Sequence, residues 1–413
     1  MADHPVLEGF SPAVREWFAA SFPSPTPPQI QGWPAIRSGQ HTLVCAPTGS
    51  GKTLTAFLSS LDTLVTPPTV PPDPKARTQV LYISPLRALA FDVEKNLRSP
   101  LMGIRLAAER LDLPFVEPTV AMRTGDTSAK DRQALSRRPV DLLITTPESL
   151  YLMLTSEVRS TLVNVRTVII DEIHAMATTK RGAHLMLSLE RLEAITKQPP
   201  QRIGLSATQR PLEEIAHFLG GHAADRTRRP VTIIDAGIRK PLEVDVVVPV
   251  EDMGALGQAP DPNTSGQADS GAQGQRSSIW PSIYPRILQQ VLAHRSTIIF
   301  CNGRRLTERL AARLNELAEQ EGIEGELVKA HHGSLAREQR VVIEDQLKRG
   351  DLRAIVATSS LELGIDMGAV DLVIQVESPG AVSRGLQRIG RAGHSVGEPS
   401  KGTLYPKHRG DLL

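Results

Sequence analysis

The stretch HTLVCAPTGSGKTLTAFLSSL, residues 41–61, indicates the fold of this chain. Its first five residues form a short apolar run typical of a buried strand, and its second half has the apolar spacing of a helix. Between them, Ala46 to Thr53 matches the phosphate-binding loop pattern, with Ala46 in place of the usual first glycine. A glycine-rich turn between a strand and a helix lets backbone N–H groups converge on phosphate oxygens. The stretch therefore predicts an α/β domain that binds nucleotide phosphates.

The residues of this loop have separate expected roles. Lys52 is expected to neutralise the β- and γ-phosphates of ATP, and Thr53 to coordinate Mg²⁺ through its hydroxyl. The other predicted contacts of the loop with ATP come from Thr48, Gly49, Ser50 and Gly51.

An acidic pair follows a second apolar strand in VRTVIIDEIH, residues 165–174. Asp171 and Glu172 stand where a nucleotide site needs a carboxylate that holds Mg²⁺ and a base that activates water. On its own such a pair could equally cap a helix. Together with the phosphate loop it predicts that Asp171 orients the metal and that Glu172 is the general base for attack on the γ-phosphate.

Short apolar runs alternate with amphipathic stretches along most of the chain, which predicts βα units and two mostly parallel sheets. Five strands are predicted before a glycine-rich and polar stretch at 220–230, namely 41–45, 80–84, 141–145, 167–171 and 202–206. Five more are predicted after it, namely 244–248, 296–300, 327–332, 354–358 and 371–376. The sequence therefore predicts two tandem α/β domains, 1–225 and 226–413, of which only the first keeps a phosphate loop. Residues 257–278 contain no Val, Ile, Leu, Met or aromatic residue, which predicts a mobile insert in the second domain.

Composition excludes some classes of protein and leaves others open. The 413 residues suffice for two or three domains, and 47 basic against 45 acidic residues give a net charge of only +2. The balance therefore does not identify a partner. No apolar run reaches the length of a membrane span, and two cysteines do not make a disulfide framework. We therefore expect a soluble protein of the cytoplasm.

A third group of candidate residues lies in GLQRIGRAGH, residues 385–394. Gln387, Arg388 and Arg391 are expected on one helical segment, with the two arginines on a shared face. Arginines supplied by a second domain could stabilise the γ-phosphate in the transition state, which would make hydrolysis depend on domain closure. An isolated R-x-x-R is more often a solvated helix face, so this prediction depends on the other motifs.

Taken together, these motifs resemble the core of a superfamily 2 helicase, which has two RecA-like domains. The resemblance lies in their order along the chain: TPPQ (26–29), the phosphate loop, SPLRALA (84–90), TTPESL (145–150), DEIH (171–174), SAT (206–208), IIFCN (298–302), ATSSLELGID (357–366) and QRIGRAGH (387–394). Longer blocks resemble the large helicase-related (Lhr) family of DNA repair helicases, namely residues 171–192, 277–286, 331–340 and 405–413.

The resemblance implies roles for further residues. Gln29 would contact adenine, Gly364 and Asp366 would belong to the nucleotide site, and Arg391 would be the arginine finger. Residues implied on the nucleic-acid path are Arg87, Thr146, Arg304 and Thr358. Residues implied in coupling hydrolysis to strand movement are His174, Ser206 and Thr208. Two departures stand out: the acidic box ends in His174, and His394 replaces a second arginine, so a single finger is expected.

The resemblance also implies ATP-driven movement on single-stranded DNA, 3′ to 5′, with unwinding of DNA or RNA:DNA duplexes. Relatives continue into a winged-helix domain and further C-terminal domains, so this chain is expected to be the N-terminal motor. Two alternatives stay open: a DEAD-box-like RNA helicase, and an ATP-gated nucleic-acid clamp that does not translocate. A phosphate-loop ATPase acting on protein is disfavoured, because it would not require SAT or ATSSLELGID.

Overall fold

The structure is a computed structural model that describes residues 4–47, 49–67, 73–207, 211–236, 241–250, 253, 279–362, 370–393 and 399–412. The chain divides into two compact units, 1–239 and 240–413. In each unit helices surround one sheet, and all strand pairs of these sheets are parallel within the described ranges. The predicted pair of α/β domains with parallel sheets is therefore confirmed.

The first unit is built on a sheet of short strands. Its described strands are β1 (Thr42–Cys45), β2 (Val80–Ile83), β3 (Val120–Arg123), β4 (Leu142–Thr145), β5 (Thr167–Ile170), β6 (Gln201–Ser206) and β7 (Thr232–Asp235). Their spatial order is β3-β4-β2-β5-β6-β1-β7. The strand before the phosphate loop, β1, therefore lies between β6 and β7.

Nine helices of the first unit are described. They are α1 (Pro12–Ser21), α2 (Pro27–Arg37), α3 (Lys52–Val65), α4 (Arg87–Arg110), α5 (Ala129–Arg137), α6 (Pro147–Leu154), α7 (His174–Ala177), α8 (Lys180–Ile195) and α9 (Leu212–Gly220). Single 3₁₀ segments lie at Pro5–Leu7 and Glu157–Leu162.

Alternation along the strands gives this sheet two apolar faces. On β1, Leu43 and Cys45 join one buried cluster, which includes side chains of α6, α8 and α9. Val44 points the other way into a cluster that includes side chains of α2, α3 and α4. Helices therefore cover both faces, and the carboxyl ends of the strands are left at one edge for the loops that carry the motifs.

The second unit repeats this plan. Its described strands are β8 (Leu242–Val246), β9 (Thr297–Phe300), β10 (Val328–His331), β11 (Ala354–Ala357), β12 (Leu372–Val376) and β13 (Ser400–Tyr405), in the order β10-β11-β9-β12-β13-β8. Its described helices are α10 (Trp280–Ala293), α11 (Arg304–Gln320), α12 (Arg337–Arg349) and α13 (Val382–Ile389), with 3₁₀ segments at Ser359–Leu361 and Arg409–Leu412. The first and last strands of this unit, β8 and β13, are paired neighbours.

The structure differs from the sequence-based expectation at the domain boundary. Residues 226–239 belong to the first unit, because β7 pairs with β1 from Thr42↔Thr232 to Cys45↔Asp235. The expected boundary after residue 225 therefore precedes the last strand of the first sheet. The expected insert at 257–278 lies outside the described residues. None of the helices in the described ranges is both long enough and apolar enough to cross a bilayer.

Candidate nucleotide and nucleic-acid sites

The phosphate loop connects the end of β1 to the start of α3. Gly49 and Gly51 have φ of 79° and 84°, a left-handed conformation that favours glycine. The Ser50 hydroxyl donates a hydrogen bond of 2.6 Å to the carbonyl of Pro47, which closes the turn. Lys52, the first residue of α3, is buried, whereas Thr53 is exposed. The two glycines thus have the backbone conformation expected in a phosphate-binding turn, and Thr48 lies outside the described residues.

Gln29 lies directly against this loop. Its side chain is buried at 3% exposure, and its Oε1 accepts a 2.9 Å hydrogen bond from the backbone N–H of Thr26. A Cβ on Gly51 would lie 2.8 Å from Nε2 of Gln29, so only glycine fits there without displacing the amide. The residue expected to contact adenine is therefore held next to the phosphate loop.

The acidic box follows β5 in a strained but firmly held turn. The backbone N–H of Asp171 donates to the carbonyl of Ile83 at 2.9 Å, and that of Ile173 donates to Leu205 at 3.0 Å. Between these anchors Glu172 has φ of 45°, and its own N–H donates to Oδ1 of Asp171 at 2.9 Å. A left-handed non-glycine residue costs about 1–3 kcal/mol and persists only where its neighbours fix it.

The two carboxyl groups of the box are buried side by side, each at 8% exposure. Burial, and then the charge of Glu172, raise the pKa of Asp171 from its usual 3.8 to about 6, although Lys52 acts in the opposite direction. The site therefore has too little positive charge for its carboxylates. A divalent cation would correct this deficit, so the site fits Mg²⁺ held by Asp171 and the exposed hydroxyl of Thr53.

A cluster of three protein ligands is not needed for such an ion. In the described part of the chain, no group of three His, Cys, Asp or Glu side chains could hold a metal. Mg²⁺ usually keeps several waters and takes one or two protein ligands together with phosphate oxygens. When bound, it would neutralise the negative charge of the phosphates.

His174 connects the acidic box to the segment after β6. Its Nδ1 accepts a 3.1 Å hydrogen bond from the backbone N–H of Ala207 and lies 3.2 Å from the hydroxyl of Ser206. Burial lowers the pKa of His174, so the ring is neutral at pH 7. Because Nδ1 is the acceptor, the ring proton is on Nε2, which lies 3.4 Å from Oε2 of Glu172. Thr208, the third residue expected in coupling, lies outside the described residues.

Two residues expected on the nucleic-acid path follow neighbouring strands of the first sheet. Arg87 begins α4 after β2, and its exposed guanidinium is paired with Asp126. Thr146 precedes α6 after β4, and its buried hydroxyl lies 3.3 Å from that of Ser149. Because β2 and β4 pair in parallel, both turns lie at the same edge of the sheet. Asp126 was not expected from the sequence, but its position in the polar turn after β3 was a usable signal.

In the second unit the structure contradicts the expected shared helix face. Helix α13 ends at Ile389, so Arg391 lies beyond it. Arg388 is 3% exposed and enclosed by polar partners: it donates to Glu362 at 3.0 Å, to Gln375 at 2.8 Å and to Asn302 at 3.3 Å. Its guanidinium is thus engaged by partners of its own unit, and its expected action on a phosphate stays a prediction.

The other expected residues of this unit are more accessible. Gln387 and Arg391 are half-buried, and Arg391 donates to the carbonyl of Glu362 at 3.1 Å. Arg304 begins α11 and donates to the hydroxyl of Ser334 at 2.6 Å. The backbone N–H of Thr358 donates to the carbonyl of His331 at 3.3 Å. Gly364, Asp366 and His394 lie outside the described residues.

Comparison with known proteins identifies the family. The profile of the DEAD/DEAH box helicase family matches residues 26–215, and that of the helicase conserved C-terminal domain matches residues 283–395. A protein of Mycolicibacterium smegmatis described as Lhr helicase/probable uracil glycosylase is 53% identical over 98% of this chain. The chain belongs to the Lhr family of superfamily 2 helicases.

Other Lhr relatives agree. The ATP-dependent helicase Lhr-Core of Methanocaldococcus jannaschii is 41% identical over the whole chain. The chain spans 27% of the Mycolicibacterium protein and 45% of the Methanocaldococcus protein.

Solved structures show the same fold. The structure of Mycobacterium smegmatis helicase Lhr bound to ssDNA and AMP-PNP is 55% identical, with a TM-score of 0.84, and the match covers 99% of this chain and 49% of that one. Mss116p bound to ssRNA and AMP-PNP covers 96% of this chain and 72% of that chain, at 16% identity and a TM-score of 0.72, so it shows the fold alone. The predicted RecA-like helicase fold is confirmed.

Proposed function

We propose that this chain is an ATP-dependent nucleic-acid motor that moves 3′ to 5′ on single-stranded DNA and unwinds DNA or RNA:DNA duplexes. The observation that carries the proposal is the nucleotide site: the phosphate loop lies beside a buried, strained acidic box, in a chain 55% identical to a helicase bound to ssDNA and AMP-PNP. In this proposal ATP hydrolysis supplies the energy, and the turns that carry the expected nucleic-acid residues bind the strand.

In this proposal each residue of the nucleotide site has one task. Lys52 contacts the β- and γ-phosphates, Thr53 and Asp171 hold Mg²⁺, and Glu172 accepts the proton of the attacking water. Gln29 recognises adenine through its amide. The raised pKa of Asp171 supports this assignment, because a carboxyl group that is buried without enough positive charge is suited to a cation.

The second unit contributes one arginine to the reaction in this proposal. Arg391 acts as the single arginine finger at the γ-phosphate, and Arg388 supports it by holding the carboxylate of Glu362, whose backbone carbonyl contacts Arg391. Arg87, Thr146, Arg304 and Thr358 contact the strand through its phosphates and sugars. Such contacts position the protein but do not read sequence.

ATP hydrolysis measured with and without single-stranded DNA tests the proposal. We expect DNA to increase kcat several-fold and Lys52→Ala to abolish turnover in both conditions. Absence of stimulation by single-stranded DNA and RNA alike would refute a nucleic-acid motor. Stimulation by RNA alone would favour the DEAD-box-like alternative.

Strand displacement distinguishes a translocase from an ATP-gated clamp. A translocase moving 3′ to 5′ opens a duplex that has a 3′ single-stranded tail and leaves the matched 5′-tailed duplex closed. A clamp opens short blunt duplexes and loses activity steeply as the duplex lengthens. Equal unwinding of both tailed duplexes would contradict the proposed polarity.

The cellular setting follows from the same proposal. We propose a role in DNA repair in the cytoplasm, in association with the nucleoid, because the Mycolicibacterium relative combines a helicase with a probable uracil glycosylase. In that setting the motor works together with winged-helix and other domains. Loss of the gene should then raise sensitivity to DNA damage, and restored resistance should require Lys52.

A further inference from the structure

One arginine to which none of the motifs assigns a role connects the two turns of the first unit that carry Arg87 and Thr146. Arg181, the second residue of α8, donates from Nε and Nη2 to the two carboxylate oxygens of Glu148, at 2.5 and 2.9 Å. Its Nη1 donates to the carbonyl of Pro85 at 2.6 Å. Pro85 lies two residues before Arg87, and Glu148 two residues after Thr146. One guanidinium thus holds both turns that are expected to contact the strand.

The same arginine is rigidly connected to the acidic box. Between Ile173 and Arg181 the chain forms α7 and a tight turn, in which the Thr179 hydroxyl donates to the carbonyl of Met176 at 2.8 Å and accepts from the N–H of Gly182 at 3.0 Å. A Cβ on Gly182 would lie 2.0 Å from the carbonyl oxygen of Met176, so α8 packs here without space for a side chain. Ile173 and Met176 are both buried in the core.

The contact geometry favours a positioning role over a contribution to stability. The Arg181 and Glu148 side chains are 38% and 56% exposed, and ion pairs this exposed contribute about 0–1 kcal/mol to folding. A bidentate pair with a third bond to a backbone carbonyl nevertheless fixes the orientation of the guanidinium, because this planar group allows one arrangement of its three acceptor oxygens. The hydrogen bonds from Arg181 are also the largest cause that lowers the pKa of Glu148.

We propose that Arg181 is a positioning residue that couples nucleic-acid binding to ATP hydrolysis, by fixing the Arg87 and Thr146 turns relative to the acidic box. This inference rests on the proposed function. When a strand binds the two turns and displaces them, Arg181 moves with its partners in those turns. The packed α7 segment, which joins Arg181 to the acidic box, then changes the position of Glu172. Without Arg181 the turns and the box remain folded, but each moves independently of the other.

Steady-state ATPase of the full chain tests this, with Arg181→Ala and the nearly isosteric Glu148→Gln as variants. The basal kcat and the KM for ATP should stay within about twofold of wild type. The concentration of single-stranded DNA that gives half-maximal stimulation should rise about tenfold in Arg181→Ala and less in Glu148→Gln. The double variant should need no higher DNA concentration than Arg181→Ala, because both substitutions remove the same contact between Arg181 and Glu148.

A matched control is available in the same unit. Arg105 on α4 pairs with Glu109 and with Glu117, and the three side chains are 45%, 54% and 62% exposed, so Arg105→Ala removes similar surface pairs away from the turns. It should leave both the KM for ATP and the DNA requirement unchanged. Arg181→Lys keeps the positive charge but lacks the planar guanidinium and its bidentate hydrogen bonds, so it should recover only part of the response to DNA that Arg181→Ala loses.

The outcomes separate the two proposals. If wild type is not stimulated by nucleic acid, the proposed function fails first and this inference fails with it. If wild type is stimulated and both variants keep its DNA requirement, only the role of Arg181 is refuted. A parallel loss of basal kcat, DNA response and thermal stability would also refute it, because Arg181 would then be a structural residue. Should Arg181→Ala fail to fold, Glu148→Gln decides alone.

Discussion

Replacing Asp171 by Asn should make the nucleotide-free protein more stable while it destroys turnover. Asn keeps the Oδ1 acceptor for the N–H of Glu172 and nearly the same volume, but it has no charge. The buried carboxylate of wild type is stabilised too little by its surroundings, as its raised pKa shows. The substitution therefore removes the free-energy cost of burying an ionised carboxylate, a cost that a bound metal ion would otherwise offset.

The magnitude follows from the pKa. A change from 3.8 in the unfolded chain to about 6 in the folded protein is about two units, and at 25 °C this corresponds to about 3 kcal/mol. Because the folded state holds the proton more tightly, this group lowers the free energy of unfolding as pH rises from about 4 to 6. The loss in the free energy of unfolding reaches its full value above pH 6, is about half of that value near pH 5, and vanishes below pH 4.

Thermal unfolding at several pH values measures the effect. Without Mg²⁺ or nucleotide at pH 7.5, we expect the first unit of Asp171→Asn to melt roughly 6–12 °C above wild type. Two of the three tryptophans, Trp17 and Trp33, are buried in this unit and report its transition. The difference between variant and wild type should shrink by about half at pH 5.

A matched substitution controls for the loss of one negative charge. Asp112 is exposed and has φ of 50°, a conformation that Asn tolerates, so Asp112→Asn should leave the melting temperature unchanged. If Asp171→Asn melts at or below wild type at pH 7.5 while the control is neutral, the buried carboxylate carries no penalty. The electrostatic argument for the metal site would then be wrong.

Four further substitutions test the other residues of the two sites. Glu172→Gln should bind ATP with wild-type affinity and lower kcat at least a thousandfold, measured by nucleotide binding and single-turnover hydrolysis; undiminished hydrolysis would remove it from the role of base. Arg388→Met should destabilise the second unit by about 3 kcal/mol, because the buried carboxylate of Glu362 then keeps only the exposed Arg384, at 3.9 Å. Arg391→Ala should keep the melting temperature and lose hydrolysis; the reverse pattern would exchange the two roles. His174→Phe removes the acceptor of the Ala207 N–H, so the ATP hydrolysed per base pair unwound should rise, and an equal loss of both activities would contradict a coupling role.

The sequence predicted best those strands that are apolar and central. The predicted strands at 41–45, 80–84, 141–145 and 296–300 agree with the structure within one residue at either end. The missed strands β3 and β7 form the edges of the first sheet, where every residue except the buried Ile234 is only half-buried, so that no continuous apolar run is needed. The missed strand β13 is interior but polar, and the hydroxyl of its buried Ser400 donates to the carbonyl of Ala392. Such partners are invisible without coordinates.

The features of the site also fall into those that the sequence could predict and those that it could not. Spacing alone indicated the phosphate loop and the acidic pair, because each depends on residues adjacent in sequence. Neither the left-handed backbone of Glu172 nor the burial of Arg388 could be predicted, since both are imposed by distant segments. Arg181 was missed for the same reason: its partners Pro85 and Glu148 are 96 and 33 residues away along the chain.

The pairing of β8 with β13 has a consequence for synthesis on the ribosome. The first strand of the second unit leaves the ribosome with an alternating row of aliphatic side chains at Leu242, Val244 and Val246, but its partner β13 begins only at Ser400. At about 5–20 residues per second, roughly 8–30 s pass before that partner has been made. Throughout this interval the nascent strand offers an open edge to chaperones, or to the same segment of a neighbouring nascent chain.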